Sequence, residues 1–142
     1  MKESALKGWH MPCDENELSF YSVTHEYGHM IQNILVENEM KLNGWDKENP
    51  RKFVDINKAT KNARLKWYTK IEEKVSEDCK REILNIAKSN NPNFKYEENI
   101  SKYGESSNFE FFAEVFANSQ LSKPNELGNA MKIWLKRKGI IQ

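Results

Sequence analysis

Apolar residues recur at steps of three and four along most of the chain, a spacing that predicts helices almost throughout. The first helix runs from about Glu17 to Val36, with Leu18, Tyr21, Ile31, Ile34 and Leu35 as its apolar contribution. Acidic Asp14, Glu15 and Glu17 stand at its start, where the helix dipole favours negative charge. Gly44 and Pro50 bracket a loop, and a long second helix follows from about Asn57 to Lys88. Its stripe is Leu65, Tyr68, Ile71, Val75, Cys79, Ile83 and Ile86, with Lys70, Glu72, Glu73, Lys74, Glu77, Asp78, Lys80 and Arg81 on the solvated side. The stripe reads as packing on the chain's own domain rather than as a coiled-coil seam. Pro92, in "SNNPN", cannot continue a helix and closes this one. A third helix begins near Ser107, and a fourth follows Pro124, a favoured first-turn residue, and ends at Gly139, with Lys136, Arg137 and Lys138 complementing the dipole of its last turn. No stretch alternates apolar and polar residues over more than four positions. The expected fold is therefore mainly α, with little or no sheet.

Composition narrows the function classes. A chain of 142 residues is about one domain, spanning 1–142, and long enough to bury one sizeable core. Lys and Arg number 22 against 21 Asp and Glu, so no electrostatic footprint for nucleic acid exists. Mean hydropathy is -0.84, and no apolar run approaches the roughly 20 residues of a membrane span. The start, "MKESALKGWH", lacks the apolar stretch of a signal peptide, which gives a cytoplasmic expectation. The two cysteines, Cys13 and Cys79, form neither a disulfide framework nor a C-x-x-C metal pair, and Cys79 reads as a small core residue.

Candidate chemistry enters at "THEYGH", residues 24 to 29. On a helix, His25 and His29 stand one turn apart and project from the same face, so both imidazoles can be fixed on one metal ion. Glu26 sits about 100° round from His25, too far to join the ligand row but near enough to reach a water on the metal. H-E-x-x-H therefore carries a mechanism: zinc lowers the pKa of its water to about 7, and the glutamate takes the proton as that water attacks a carbonyl. The bland alternative is a pair of ordinary helix histidines, because a catalytic zinc needs a third protein ligand. The metzincin extension is excluded, since Gln32 and Leu35 occupy the positions where it requires Gly and His.

The third ligand is sought in "YGESSNFEFFAEVF", residues 103 to 116. Glu110 and Glu114 share a helix face at i, i+4, amid Phe109, Phe111, Phe112 and Phe116. Two carboxylates in such apolar company are costly to bury without a positive partner, and a metal with its histidines would supply one. Ser107 to Glu110 is also an S-x-x-E capping box, in which Glu110 would only bond backbone. Spacing alone leaves both readings open and does not separate Glu110 from Glu114.

"THEYGH" followed by "SKYGESSNFEFFAEVFANS" resembles the anthrax lethal factor-like zinc metallopeptidases, a group within the gluzincins. In that family a tyrosine precedes a glutamate by seven residues, followed by Phe-Phe-Ala-Glu; Tyr103 to Glu110 and "EFFAE" match that pattern. The resemblance covers the first helix and residues 102 to 119, about a third of the chain. It implies a zinc endopeptidase acting on a peptide or protein, with His25, His29 and Glu110 as zinc ligands and Glu26 as general base. Tyr103 would hydrogen-bond the oxyanion, and Glu114 would accept a hydrogen bond from a ligand histidine and fix its tautomer. The implied architecture is a minimal zincin helical core carrying a long inserted amphipathic helix. Such zincins normally place a small sheet before the active-site helix, and no strand pattern precedes "HEYGH" here. The sequence thus also fits the C-terminal part of a larger protein. Similar tails, including "KPNELGNAMKIWLKRKG", occur on phage minor head proteins and on toxin-like ADP-ribosyltransferases.

The remaining residues add less. His10, beside Trp9, reads as a structural or exposed loop histidine, and Trp9, Trp45, Trp67 and Trp134 read as core or rim packing. Tyr27 and Met30 are candidates to line a substrate cleft. The rival to an enzyme is a non-catalytic zincin-like docking or structural module of a phage or toxin polypeptide. Glu26 and Tyr103 favour the enzyme, because a structural zinc site needs neither.

Overall fold

The computed structural model describes residues 11, 14–42 and 58–142, with side chains in the last stretch from residue 65 onward, Trp67 excepted. Trp9, His10, Cys13 and Trp45 lie outside the described residues. Helices and turns account for the described chain, and no strand occurs among those residues. A 3-10 turn at Glu15–Glu17 leads into α1 (Leu18–Leu42), followed by α2 (Lys58–Asn90) and a 3-10 turn at Tyr96–Glu98. Three further helices complete the order: α3 (Lys102–Glu105), α4 (Asn108–Ser119) and α5 (Glu126–Arg137). The mainly α expectation holds. No described helix is long and apolar enough to cross a membrane.

Helix α1 outruns its expected end at Val36 because the buried row continues through Gln32, Val36 and Met40. Val36 and Met40 pack with Ile71 of α2, with Tyr68 and Val75 at the margin. At α4 the Ser107 hydroxyl accepts from the Glu110 backbone N–H at 3.0 Å, which caps the helix as the S-x-x-E pattern suggests. At α5 the cap is Asn125, whose side chain accepts from Gly128 N–H at 2.9 Å; Pro124 stands just ahead of the cap rather than in the first turn. Gly139 has φ 72°, and the bonds Gly139 N–H to Lys136 O (3.0 Å) and Ile140 N–H to Leu135 O (2.9 Å) close the helix in a Schellman motif. Helix α3 is too short to announce itself by periodicity. It is made by Ser101, whose hydroxyl accepts from Gly104 N–H at 3.0 Å.

The core gathers round α4, in which every residue from Phe111 to Ser119 is buried. Phe111, Phe112, Val115 and Phe116 meet Ile83 and Ile86 of α2 and Leu127, Met131, Trp134 and Leu135 of α5. Trp134 stands edge-on to Phe112 at 5.6 Å between centroids and donates its Nε1–H to Glu82 at 2.7 Å. Cys79 is buried in this core, and burial, helped by the Glu82 charge, pushes its thiol up to about 12, so the sulfur is inert at neutral pH.

Two expected core residues are not in it. Ile34 is 55% exposed because it lies two residues from Val36, about 200° round the helix from the buried row. Leu65 is 64% exposed, ahead of the point on α2 where Tyr68 and Ile71 reach α1. Ile34 instead joins Phe20, Val23, Tyr27 and Met30 in one half-exposed apolar row on the outward face of α1.

Helices α1 and α4 come close because Gly28, inside "HEYGH", has no side chain. A Cβ there would lie 2.8 Å from Ala113 Cα and 3.2 Å from Phe116 Cβ. Two effects oppose each other in Gly28→Ala. Intrinsic helix propensity favours alanine by about 1 kcal/mol. Overpacking a backbone contact costs about 1–3 kcal/mol, and backbone cannot swing aside as a flexible side chain can. Gly28→Ala is expected to lower the urea midpoint; a higher midpoint would contradict the close approach.

Candidate metal centre

The close approach at Gly28 sets the two histidines of α1 against the first turns of α4. His25 is buried and His29 half-buried, with ring centroids 4.9 Å apart. Glu110 Oε2 lies 3.1 Å from His25 Nε2 and 3.3 Å from His29 Nε2. One donor atom from each of the three residues falls within 4.8 Å of the other two, a group that can hold a metal ion. Capping and ligation therefore do not compete for Glu110. Its backbone N–H meets the Ser107 cap while its carboxylate turns to the histidines.

Glu114, one turn further along α4, is fully buried and differently employed. Its Oε2 accepts from Tyr21 O–H at 3.0 Å and lies 2.7 Å from His25 Nδ1. Its Oε1 accepts from Ser101 O–H at 2.8 Å and from Met11 N–H at 3.3 Å. A carboxylate so enclosed has no room for an ion but holds His25 by one nitrogen. The other nitrogen, Nε2, is thereby aimed at Glu110. Burial lowers the pKa of His25, but the Glu114 hydrogen bond and the charges of Glu114, Glu110 and Glu26 outweigh it, and the net shift is upward from 6.5. The second histidine is steadied by packing: the Phe109 ring stacks on His29 at 4.4 Å, 18° from parallel.

Glu26 and Tyr103 stand beside this group. Together with Tyr21, Ser22 and His25 they line a hollow of about 200 Å³. Glu26 is exposed, and Tyr103, carried by α3, has its ring 5.7 Å from that of His25. The Glu110 charge first, then desolvation and the charges of Glu114 and Glu26, raise the Tyr103 pKa above 10.0. The phenol therefore keeps its proton at neutral pH and remains a donor. Ser101 links the parts, because the hydroxyl that caps α3 also donates to Glu114.

Tyr27 and Met30 do not line the hollow; they belong to the outward row of α1. Residues to which the sequence assigned no part in the site are Tyr21, Ser22, Ser101, Phe109 and the Met11 backbone. Only Tyr21 left a signal, standing four residues before His25 on the same face. A larger hollow of about 410 Å³ between α2 and α5 contains no histidine, and its carboxylate, Glu82, is already bound to Trp134 and, at 3.2 Å, to Lys138. It is a seam of helix packing. No family model matches the chain, and neither a characterised protein nor a solved structure is significantly similar to it.

The two carboxylates separate experimentally. Glu114→Ala strips the acceptor from four buried donors and is expected to cost about 3–5 kcal/mol in urea unfolding of the metal-free protein. Glu110→Ala is expected to leave that stability nearly unchanged and to abolish tight metal binding. Equal destabilisation by both would contradict the assignment. Proton and metal also compete for His25. Its raised pKa favours the folded metal-free protein fully below pH 6.5 and ceases to do so as pH rises through the folded value. The melting temperature of the metal-free protein should accordingly fall as pH rises above 6.5 while metal affinity rises, which differential scanning fluorimetry and chelator competition would follow.

Proposed function

We propose that this chain is a zinc-dependent endopeptidase domain of the lethal factor-like kind, cleaving peptide bonds by activated water. The observation that carries this reading is that His25, His29 and Glu110 converge, and that His25 also lines a hollow together with Glu26 and Tyr103. The donor set fits the ion. Two neutral imidazoles and one carboxylate form a zinc site of the catalytic type, and Glu114 presets the tautomer of His25. Zinc, when bound, supplies a Lewis acid that lowers the pKa of a coordinated water to about 7.

The chain's own groups do the rest. Glu26 is the only carboxylate among the described residues that line the hollow, and it takes the proton from the attacking water and passes it to the leaving amine. Tyr103, held neutral by the surrounding carboxylates, donates a hydrogen bond to the carbonyl oxygen as charge develops there. Glu114 holds His25 by Nδ1, so that this ligand does not reorient during either step.

A second reading rests on the half-exposed row of Phe20, Val23, Tyr27, Met30 and Ile34. A continuous apolar row on a helix is a surface made to be covered, which suits a docking module of a larger phage or toxin polypeptide. The two readings part at Glu26. Glu26→Gln should leave zinc affinity within a few-fold of the parent while removing cleavage of a peptide library, a loss on the order of 100-fold or more for a missing general base. Tyr103→Phe should lower kcat with little change in KM. Cleavage that survives Glu26→Gln would defeat the peptidase mechanism.

A further inference from the structure

The two histidines of the candidate centre are not equally provided for. His25 Nδ1 meets Glu114 at 2.7 Å, whereas His29 Nδ1 is buried with no hydrogen-bond partner. A neutral imidazole carries a single N–H, so an ion on His29 Nε2 obliges Nδ1 to be the donor. Buried backbone and side-chain donors are almost always paired, which makes an unpaired one at a functional group informative. The described chain has one other such atom, and it is an acceptor: Oε1 of Gln32.

Gln32 follows His29 by three residues on α1, so the two side chains are neighbours on the helix surface. It is fully buried, an unusual place for an uncharged amide unless both its ends are used. One end is used: Nε2 donates to Ser76 Oγ of α2 at 2.8 Å. With the amide nitrogen placed on Ser76, the oxygen is left as the free acceptor. Rotation about the terminal torsion of glutamine is soft, so the amide can turn its oxygen toward a neighbouring donor.

We infer that Gln32 is the positioning residue of His29, its carboxamide oxygen accepting the Nδ1–H of the metal-binding tautomer while Ser76 anchors the opposite end of the amide. The inference rests on the metal reading given above and adds to it a line of support from α2. The first histidine is oriented by a carboxylate on α4 and the second by an amide braced on α2. Phe109, stacked on the His29 ring, fixes its plane but leaves its edge nitrogens to be assigned by hydrogen bonding. The plainer role for Gln32, a simple α1–α2 crosslink through Ser76, accounts for the bond to Nε2 and leaves both unpaired atoms unexplained.

The test uses zinc alone as the probe. Chelator competition gives zinc affinity for the parent, Gln32→Met, Gln32→Glu and Ser76→Ala, with circular dichroism to check folding. Gln32→Met keeps length and removes the acceptor; it is expected to weaken zinc roughly 10- to 100-fold. Gln32→Glu keeps an acceptor oxygen and should retain affinity close to the parent. A mere crosslink through Ser76 predicts a different order, with Ser76→Ala as damaging as Gln32→Met and no rescue by Gln32→Glu. In the ¹⁵N-labelled zinc-loaded parent, which needs no variant to fold, His29 should appear as the Nδ1–H tautomer with a slowly exchanging ring proton. Coordination of His29 through Nδ1, or unchanged zinc affinity in Gln32→Met, would overturn the inference while leaving the metal centre standing. A parent protein that takes up no zinc would remove the metal reading and this inference together.

Discussion

A single buried carboxylate organises this molecule. Glu114 is wholly shielded from water, and its two oxygens receive hydrogen bonds from Tyr21 and Ser101, from the Met11 backbone and from the ring of His25. Burying a charged group costs several kcal/mol after relaxation, so the arrangement persists only because every lone pair is used. The donors come from four separate parts of the chain: residue 11, two turns of α1 and the cap of α3. Losing any one exposes the cost of the charge. The network therefore couples the orientation of a candidate metal ligand to the integrity of the surrounding fold.

Small residues make that coupling possible. Gly28 allows α1 to lie against Ala113, and only at that separation can His25 reach Glu114 on one side and Glu110 on the other. The two carboxylates then divide the work by depth. Glu114, at the bottom, is saturated with donors and serves the fold; Glu110, 21% exposed at the mouth, faces both histidines and is open to an ion. Ser101 extends the division to Tyr103, because one hydroxyl both caps α3 and bonds Glu114. The mouth holds the groups suited to chemistry, and the floor holds them in place.

Much of this was legible in the sequence. Helical spacing revealed the long elements because one face of each is buried against α4, and "HEYGH" with "EFFAE" named the residues that meet. What stayed hidden has physical reasons. Glu110 and Glu114 are the same residue type at the same helical phase, and only depth separates them, which depends on the packing of α1. Helix α3 is four residues long and is created by one capping hydroxyl, too little for any periodic signal. Ile34 and Leu65 counted as core by type, yet one lies on the outward face of α1 and the other ahead of the α1–α2 contact. In the sequence Gln32 served only to exclude the metzincin extension; its bond partner, Ser76, lies 44 positions away along the chain.

The central claim is the ligand set, and X-ray absorption at the zinc edge of the reconstituted protein addresses it most directly. The account predicts one zinc per chain with two imidazole nitrogens and oxygen donors in the first shell, and no sulfur. A shell containing sulfur or a third imidazole would contradict it, as would the absence of any stoichiometric zinc.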